Sequence, residues 1–189
     1  MTALLTAVLA FGALAGCTSS QTGGNPTPAP TTGGEQTSTE PTSSDPGLSI
    51  AKYVSAPCSI LTSSQTTTLG SVRAPAPGTG ELGPLCEWKG QDVIKNSRYT
   101  VSVTEKKPFD DMVANVKNNP VFDDKKIDGV RVVSTDQLDG LITCLVSIQA
   151  SKTDSVTVQV NLAADEQATK KACPEAERVA QLIITNLKG

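Results

Sequence analysis

Apolar positions divide the 189-residue chain into three regimes. A run rich in Ala and Leu occupies Leu4 to Ala15, and residues Thr18 to Gly47 then hold, Pro aside, nothing apolar larger than Ala. From Leu48 onward the apolar residues recur with strand or helix periods. Arg98 to Thr104 alternates and predicts a strand. Leu85 to Lys89, Val130 to Ser134, Leu141 to Gln149 and Ser155 to Leu162 also read as strands, the last two joined as a hairpin around Lys152-Thr153-Asp154. Helical spacing links Phe109, Met112, Val113 and Val116 behind Pro108, and Ala176, Val179, Ala180, Ile183 and Leu187 in a helix from Pro174 to Leu187. Thr62, with Gln65 three residues on, caps a short helix that Gly70 ends. Val72 to Pro84 carries Pro75, Pro77, Gly78, Gly80 and Gly83-Pro84 and reads as a loop. Helices at both ends of an antiparallel run of strands predict an α+β fold: a two-layer sandwich, its antiparallel sheet covered on one face by helices.

The first apolar run is about a dozen residues, shorter than the roughly 20 that span a bilayer and right for the apolar part of a signal peptide. It closes on Leu14-Ala15-Gly16-Cys17, which resembles the bacterial lipoprotein signal, where small residues precede a Cys whose sulfur takes a diacylglycerol. Residues 1–16 are therefore expected to be a lipoprotein signal peptide. Cys17 is expected to be the lipidated residue that anchors the chain in the cell membrane, on its extracytoplasmic side. In residues 18–47, Thr, Ser, Pro and Gly make 23 of 30 positions, with no Lys or Arg. That composition buries too little surface to offset ordering entropy, so residues 17–47 are expected to be a disordered tether. Its coil reach is roughly 30 Å, and about 100 Å when stretched. Residues 48–189 are then a single domain.

Charge narrows the chemistry. The chain has no His, which removes Ser-His-Asp and Cys-His nucleophile systems and imidazole metal ligands. All 16 Lys and Arg lie in residues 48–189 with 16 of the 19 Asp and Glu, so the domain is neutral and lacks the basic excess of a nucleic-acid binder. No cofactor or metal is expected. Ser49-Ile50-Ala51-Lys52 has the S-x-x-K form of penicillin-recognising enzymes without their S-D-N and K-T-G elements. Asp124 to Gly129 has Lys126 and Thr135 where a calcium loop needs ligands, and reads as a charged turn. Asp110-Asp111 and Asp123-Asp124 read as solvated surface, and Trp88, close to Cys86, as core.

Four further cysteines, Cys58, Cys86, Cys144 and Cys173, suit two bridges in an oxidising compartment, with three connectivities open. Ile142, Cys144, Val146 and Ile148 share one strand face, and Cys173 continues the apolar stripe of the last helix, so both thiols point into one sheet–helix interface. This predicts Cys144–Cys173, leaving Cys58–Cys86.

Ala56-Pro57-Cys58-Ser59-Ile60-Leu61-Thr62, then Cys86-Glu87-Trp88, Cys144, and Cys173 with its trailing helix, resemble an actinobacterial lipoprotein family, domain of unknown function 3558. The resemblance covers about Tyr53 to Lys188. It implies a secreted, lipid-anchored α+β domain and no established activity. A more distant similarity is to the external sensor domains of some actinobacterial receptor kinases.

Two functional classes follow. One is a non-enzymatic binding, sensing or accessory module at the cell envelope, partnered by the membrane through Cys17 and by a small molecule, lipid or envelope protein. The other is a cell-wall hydrolase working with carboxylates alone, which needs two converging Asp or Glu. Strand alternation with Val101, Val103, Val156, Val158 and Val160 inward places Thr100, Ser102, Thr104, Thr143, Ser147, Gln149, Thr157, Gln159 and Asn161 outward, with Leu145 among them. That polar face, with Arg98 and Arg131 as anion anchors and the Val72 to Pro84 loop closing over it, is the candidate binding face.

Overall fold

A computed structural model describes residues 46–189. The expected signal peptide, Cys17 and all but the last two residues of the expected tether lie outside the described residues. The described residues form a compact unit that holds the hydrophobic core and both disulfides, the attributes of a domain able to fold on its own.

A seven-stranded antiparallel sheet forms the frame: β1 (Ala76–Gly80), β2 (Gly83–Trp88), β3 (Arg98–Thr104), β4 (Val121–Ile127), β5 (Val130–Asp136), β6 (Thr143–Gln149) and β7 (Ser155–Asn161), in the order β1-β2-β3-β7-β6-β5-β4. The chain meanders through β1, β2 and β3, crosses to the far edge, and returns through β4 to β7 until β7 closes against β3. Register sorts the side chains. Cys86, Val101, Val158 and Val146 oppose one another on one face, as do Trp88, Tyr99, Val160 and Cys144. That inner face is fully buried.

Three α-helices and a 3-10 turn cover it. The long α4 (Ala172–Lys188) packs on β5, β6 and β7 through Ala176, Val179, Ala180, Ile183 and Ile184. The short α1 (Ala51–Ser55) and the 3-10 turn Pro57–Ile60 pack on β3 and β2. The Thr62–Gln65 capping box forms and starts α2 (Ser63–Thr67). Asn186 of α4 then joins these pieces, donating to the Ile60 carbonyl at 2.8 Å and accepting from Gln65. Cys58–Cys86 ties the 3-10 turn to β2, and Cys144–Cys173 ties β6 to the start of α4.

Four expectations need correction. Val72 to Pro84 is not a closing loop: Ala76–Gly80 is an edge strand hydrogen-bonded to β2, where Pro77 is tolerated because an edge strand has one side without a ladder partner. Asp124 to Gly129 is more than a turn, because β4 runs through it and Asp128-Gly129, both at positive φ, make the two-residue hairpin to β5. Leu141 and Ile142 precede β6 and are exposed, since a turn held by Asp136 and Gly140 occupies the chain up to that point. Finally, the second face of the sheet is not bare. The β3-to-β4 connection carries α3 (Phe109–Val116) across it, with Phe109 fully buried, Ser155 Oγ against Met112 Sδ, and Asn119 donating to Thr135 Oγ1 at 2.8 Å.

Candidate functional site

The cross-strand register gathers the expected outward residues into one continuous face. Glu87, Thr100, Gln159 and Leu145 lie in one row, Ser102, Thr157 and Ser147 in the next, and Thr104, Ser155 and Gln149 in a third. The face is nevertheless closed at its lower end. Thr104 is 1% exposed and donates to the Leu82 carbonyl, while Gln149, Thr157 and Ser102 are buried. Elsewhere the polar groups satisfy one another: Ser147 bonds Thr157 across the strands at 3.1 Å, and Thr143 donates to Asn161 at 3.1 Å.

The two expected anion anchors are also occupied. Arg131 is gripped by Asp124 and Asp110 and lies over the Phe109 ring. The Asp124 hydrogen bonds come first among the causes that push its guanidinium pKa upward, against the opposing effect of burial. Asp124 is thus a counter-ion with a half-buried side chain, while Asp110, expected as solvated surface, is exposed and pairs with Arg131 from there. Asp123 likewise shares Lys125 with Glu177 of α4, and those hydrogen bonds raise the Lys125 pKa despite its partial burial. Arg98 pairs with Glu87, which also binds Lys89 at 3.0 Å.

Arg98 and Asn161 nonetheless belong to a site, at the end of the sheet rather than on its face. There β2 ends, β3 begins and β7 ends, and a pocket of about 300 Å³ opens among Arg73, Lys89, Gly90, Val93, Asn96, Arg98, Asn161, Leu162 and Ala163. Local geometry fixes each wall. Residues 71–73 pair alongside 89–91, with Arg73 N bonded to the Lys89 carbonyl at 2.7 Å and Gln91 N to the Ser71 carbonyl at 2.9 Å. Loop 91–97 curls back on itself: the Asp92 carboxylate accepts from Ile94 N, the Asp92 carbonyl accepts from Asn96 N, and Asn96 Oδ1 accepts from Asp92 N. Gly90 is required because a Cβ there would sit 2.1 Å from the Asn96 carbonyl oxygen.

Behind the pocket, the Glu166 carboxylate accepts from both the backbone and hydroxyl of Ser97 and pairs with Lys170 at 2.6 Å. Ser97 Oγ in turn accepts from Ala163 N at 3.0 Å, fixing the pocket floor. Burial pushes the Glu166 carboxyl up, but Lys170 and Ser97 outweigh it and hold the pKa below the ordinary carboxylate value.

The pocket thus has three cations at its lining, Arg73, Lys89 and Arg98, over an apolar floor of Leu162 and Ala163. Only Glu87 offsets them, and Arg73 has no carboxylate within ion-pair reach among the described residues. Among the described residues no Asp or Glu lines it. An anionic group carried on an apolar body suits such a lining. The sequence expectation included Arg98 and Asn161 and missed Arg73, Lys89, Gly90, Val93, Asn96, Leu162 and Ala163. The available signal was Val93-Ile94, an apolar pair inside the otherwise polar stretch Lys89 to Arg98.

A family model described as a protein of unknown function, DUF3558, matches residues 12–186. No curated protein and no solved structure matches the chain.

Proposed function

Since the chain belongs to the DUF3558 family, whose function is unknown, we propose its role from its own geometry: a lipid-anchored, extracytoplasmic binding module that takes an amphiphilic anion at the end of its sheet. The observation that carries this reading is the pocket itself, with three cations at its lining and an apolar floor. Two disulfides support a place outside the cytoplasm, where such bridges persist. The Leu14-Ala15-Gly16-Cys17 sequence supports the anchor. The carboxylate hydrolase has no comparable support, because the pocket lining holds no acid to protonate a leaving group or to attack.

Binding here is a matter of charge and shape. Arg73 and Arg98 offer planar forks that suit a phosphate or carboxylate, and Lys89 adds a point charge. Leu162, Ala163 and Val93 then remove part of the attached apolar group from water. Calorimetric titration with octyl phosphate, inorganic phosphate and octyl glucoside tests this. Octyl phosphate is expected to bind best, and Arg73→Glu to weaken it about tenfold, the equivalent of one lost charged hydrogen bond. Equal affinity of the wild type and Arg73→Glu for octyl phosphate would remove the pocket from the function.

A further inference from the structure

Among the described residues, the exposed large apolar side chains are Val93 (79% exposed), Ile94 (58%), Leu138 (77%), Leu141 (44%) and Ile142 (50%). They occupy two loops, β2–β3 and β5–β6, at the same end of the sheet as the cationic pocket. Backbone hydrogen bonds knit that end together: Asp165 N to the Ile94 carbonyl, Leu162 N to the Ile142 carbonyl, and Ala172 N to the Leu141 carbonyl, all near 3.0 Å. The exposure is built rather than incidental. In one loop Asp92 accepts from Ile94 N and Lys95 N. In the other, Asp136 accepts from Leu138 N and Gly140 N, and Asp139 accepts from Leu141 N. Each loop spends a carboxylate on its own backbone and holds its apolar side chains toward water.

We propose that this end of the domain docks on the surface of an anionic bilayer, with the Val93-Ile94 and Leu138–Ile142 loops entering the headgroup–acyl boundary and the Arg73, Lys89 and Arg98 pocket holding a lipid phosphate. The inference deepens the binding-module reading and takes the anionic pocket from it. One observation favours a bilayer over a rigid protein partner, and a second permits it. Cations stand beside the apolar loops, the pairing that binds peripheral proteins to anionic lipid. The chain also enters the domain at the opposite end, where Leu48 N bonds the Ala150 carbonyl. Thirty residues separate Cys17 from Leu48. As the tether expected from their composition they would reach roughly 30 Å, more than the ~23 Å length of a seven-residue strand, and an anchored domain could then turn its loops to the membrane.

The test uses the chain from Thr18, which lacks both the apolar leader and Cys17, in cosedimentation with vesicles of phosphatidylcholine alone or of equimolar phosphatidylcholine and phosphatidylglycerol. The chain is expected to bind the anionic vesicles and to bind neutral ones at least about tenfold more weakly. A Val93→Ser, Leu138→Ser double variant, altered at the two most exposed positions, is expected to keep its melting temperature and lose about tenfold in partition. Arg73→Glu is expected to erase the preference for anionic vesicles. No binding to anionic vesicles, binding that ignores the loop substitutions, or a solution dimer that the double variant dissolves would each overturn the proposal. Octyl phosphate binding retained without vesicle binding would overturn the docking and leave the pocket reading standing. Fractionation of the full chain beside its Cys17→Ala variant decides the anchor separately.

Discussion

Glu175 in the first turn of α4 meets Tyr99 of β3, and their chemistry links stability to pH. The Tyr99 hydroxyl donates to Glu175 at 2.9 Å, and Arg178 binds the same carboxylate at 2.7 Å. Burial raises the Glu175 pKa, yet the hydrogen bonds from Arg178 and Tyr99 outweigh it and leave the carboxyl below its ordinary value. For Tyr99 burial acts first and Glu175 adds to it, so the phenol is held neutral far above its usual range. A carboxylate whose pKa falls on folding stabilises the fold above its unfolded value, near 4.3, and that contribution is lost as pH falls through the folded value. Glu166 acts in the same direction. Denaturant melts between pH 3 and about 7 are therefore expected to show stability dropping below about pH 4. In Glu175→Gln the neutral-pH plateau is lower and the acid fall shallower, with Glu166 supplying what slope remains. An unchanged acid slope in that variant would show that Glu175 is not linked to folding. Trp88, fully buried opposite Tyr99, differs from it in that its indole N–H has no hydrogen-bond partner among the described residues.

Hairpin geometry governs the elements. At the β1–β2 turn Gly83 has φ +109°, and a Cβ there would approach the Val103 carbonyl oxygen of the next strand to 2.5 Å. At the β4–β5 turn Gly129 also has positive φ, but a Cβ would meet nothing within 4 Å. Gly129→Ala is thus expected to cost only the left-handed backbone term, about 1–2 kcal/mol. Gly83→Ala must also push β2 from β3 and should cost visibly more. Urea midpoints compare the two, and equal shifts would show that the β2–β3 contact relaxes freely. The same contrast explains what could be read in the sequence. β3, β6 and β7 lie inside the sheet, where one buried and one partly open face impose alternation, and Arg98 to Thr104 is recovered to the residue. β1 and β4 are the edges. Every residue of Ala76–Gly80 is exposed, so nothing there demands an apolar pattern, and in Val121–Ile127 Asp123, Asp124 and Lys125 meet counter-ions. The site was legible only at Arg98 and Asn161, because its other walls come from three segments far apart in sequence that share no period.

At the scale of the whole molecule the two disulfides connect fold to compartment. Each closes a loop of nearly equal length, with separations of 28 and 29 residues. On the chain-entropy model each adds about 3.5 kcal/mol. They also act on different parts of the structure: Cys58–Cys86 fastens the N-terminal turns to β2, and Cys144–Cys173 fastens α4 to β6, with β3 and β7 lying between the bridged strands. At strand spacing that separation is about 14 Å, beyond the range at which substitutions usually couple. Removing the bridges by Cys58→Ala with Cys86→Ala, by Cys144→Ala with Cys173→Ala, and by all four together should therefore give additive losses, the last near 7 kcal/mol. A domain of this size has about 5–15 kcal/mol in total, so the chain without either bridge is expected to stand at the edge of unfolding. Urea unfolding of the three variants measures this. A four-fold variant that loses much less than the sum of the two pairs would mean that the bridges constrain the same part of the unfolded chain. Additive loss would mean that the fold depends on both bridges, and so on the oxidising side of the membrane where we propose that it works.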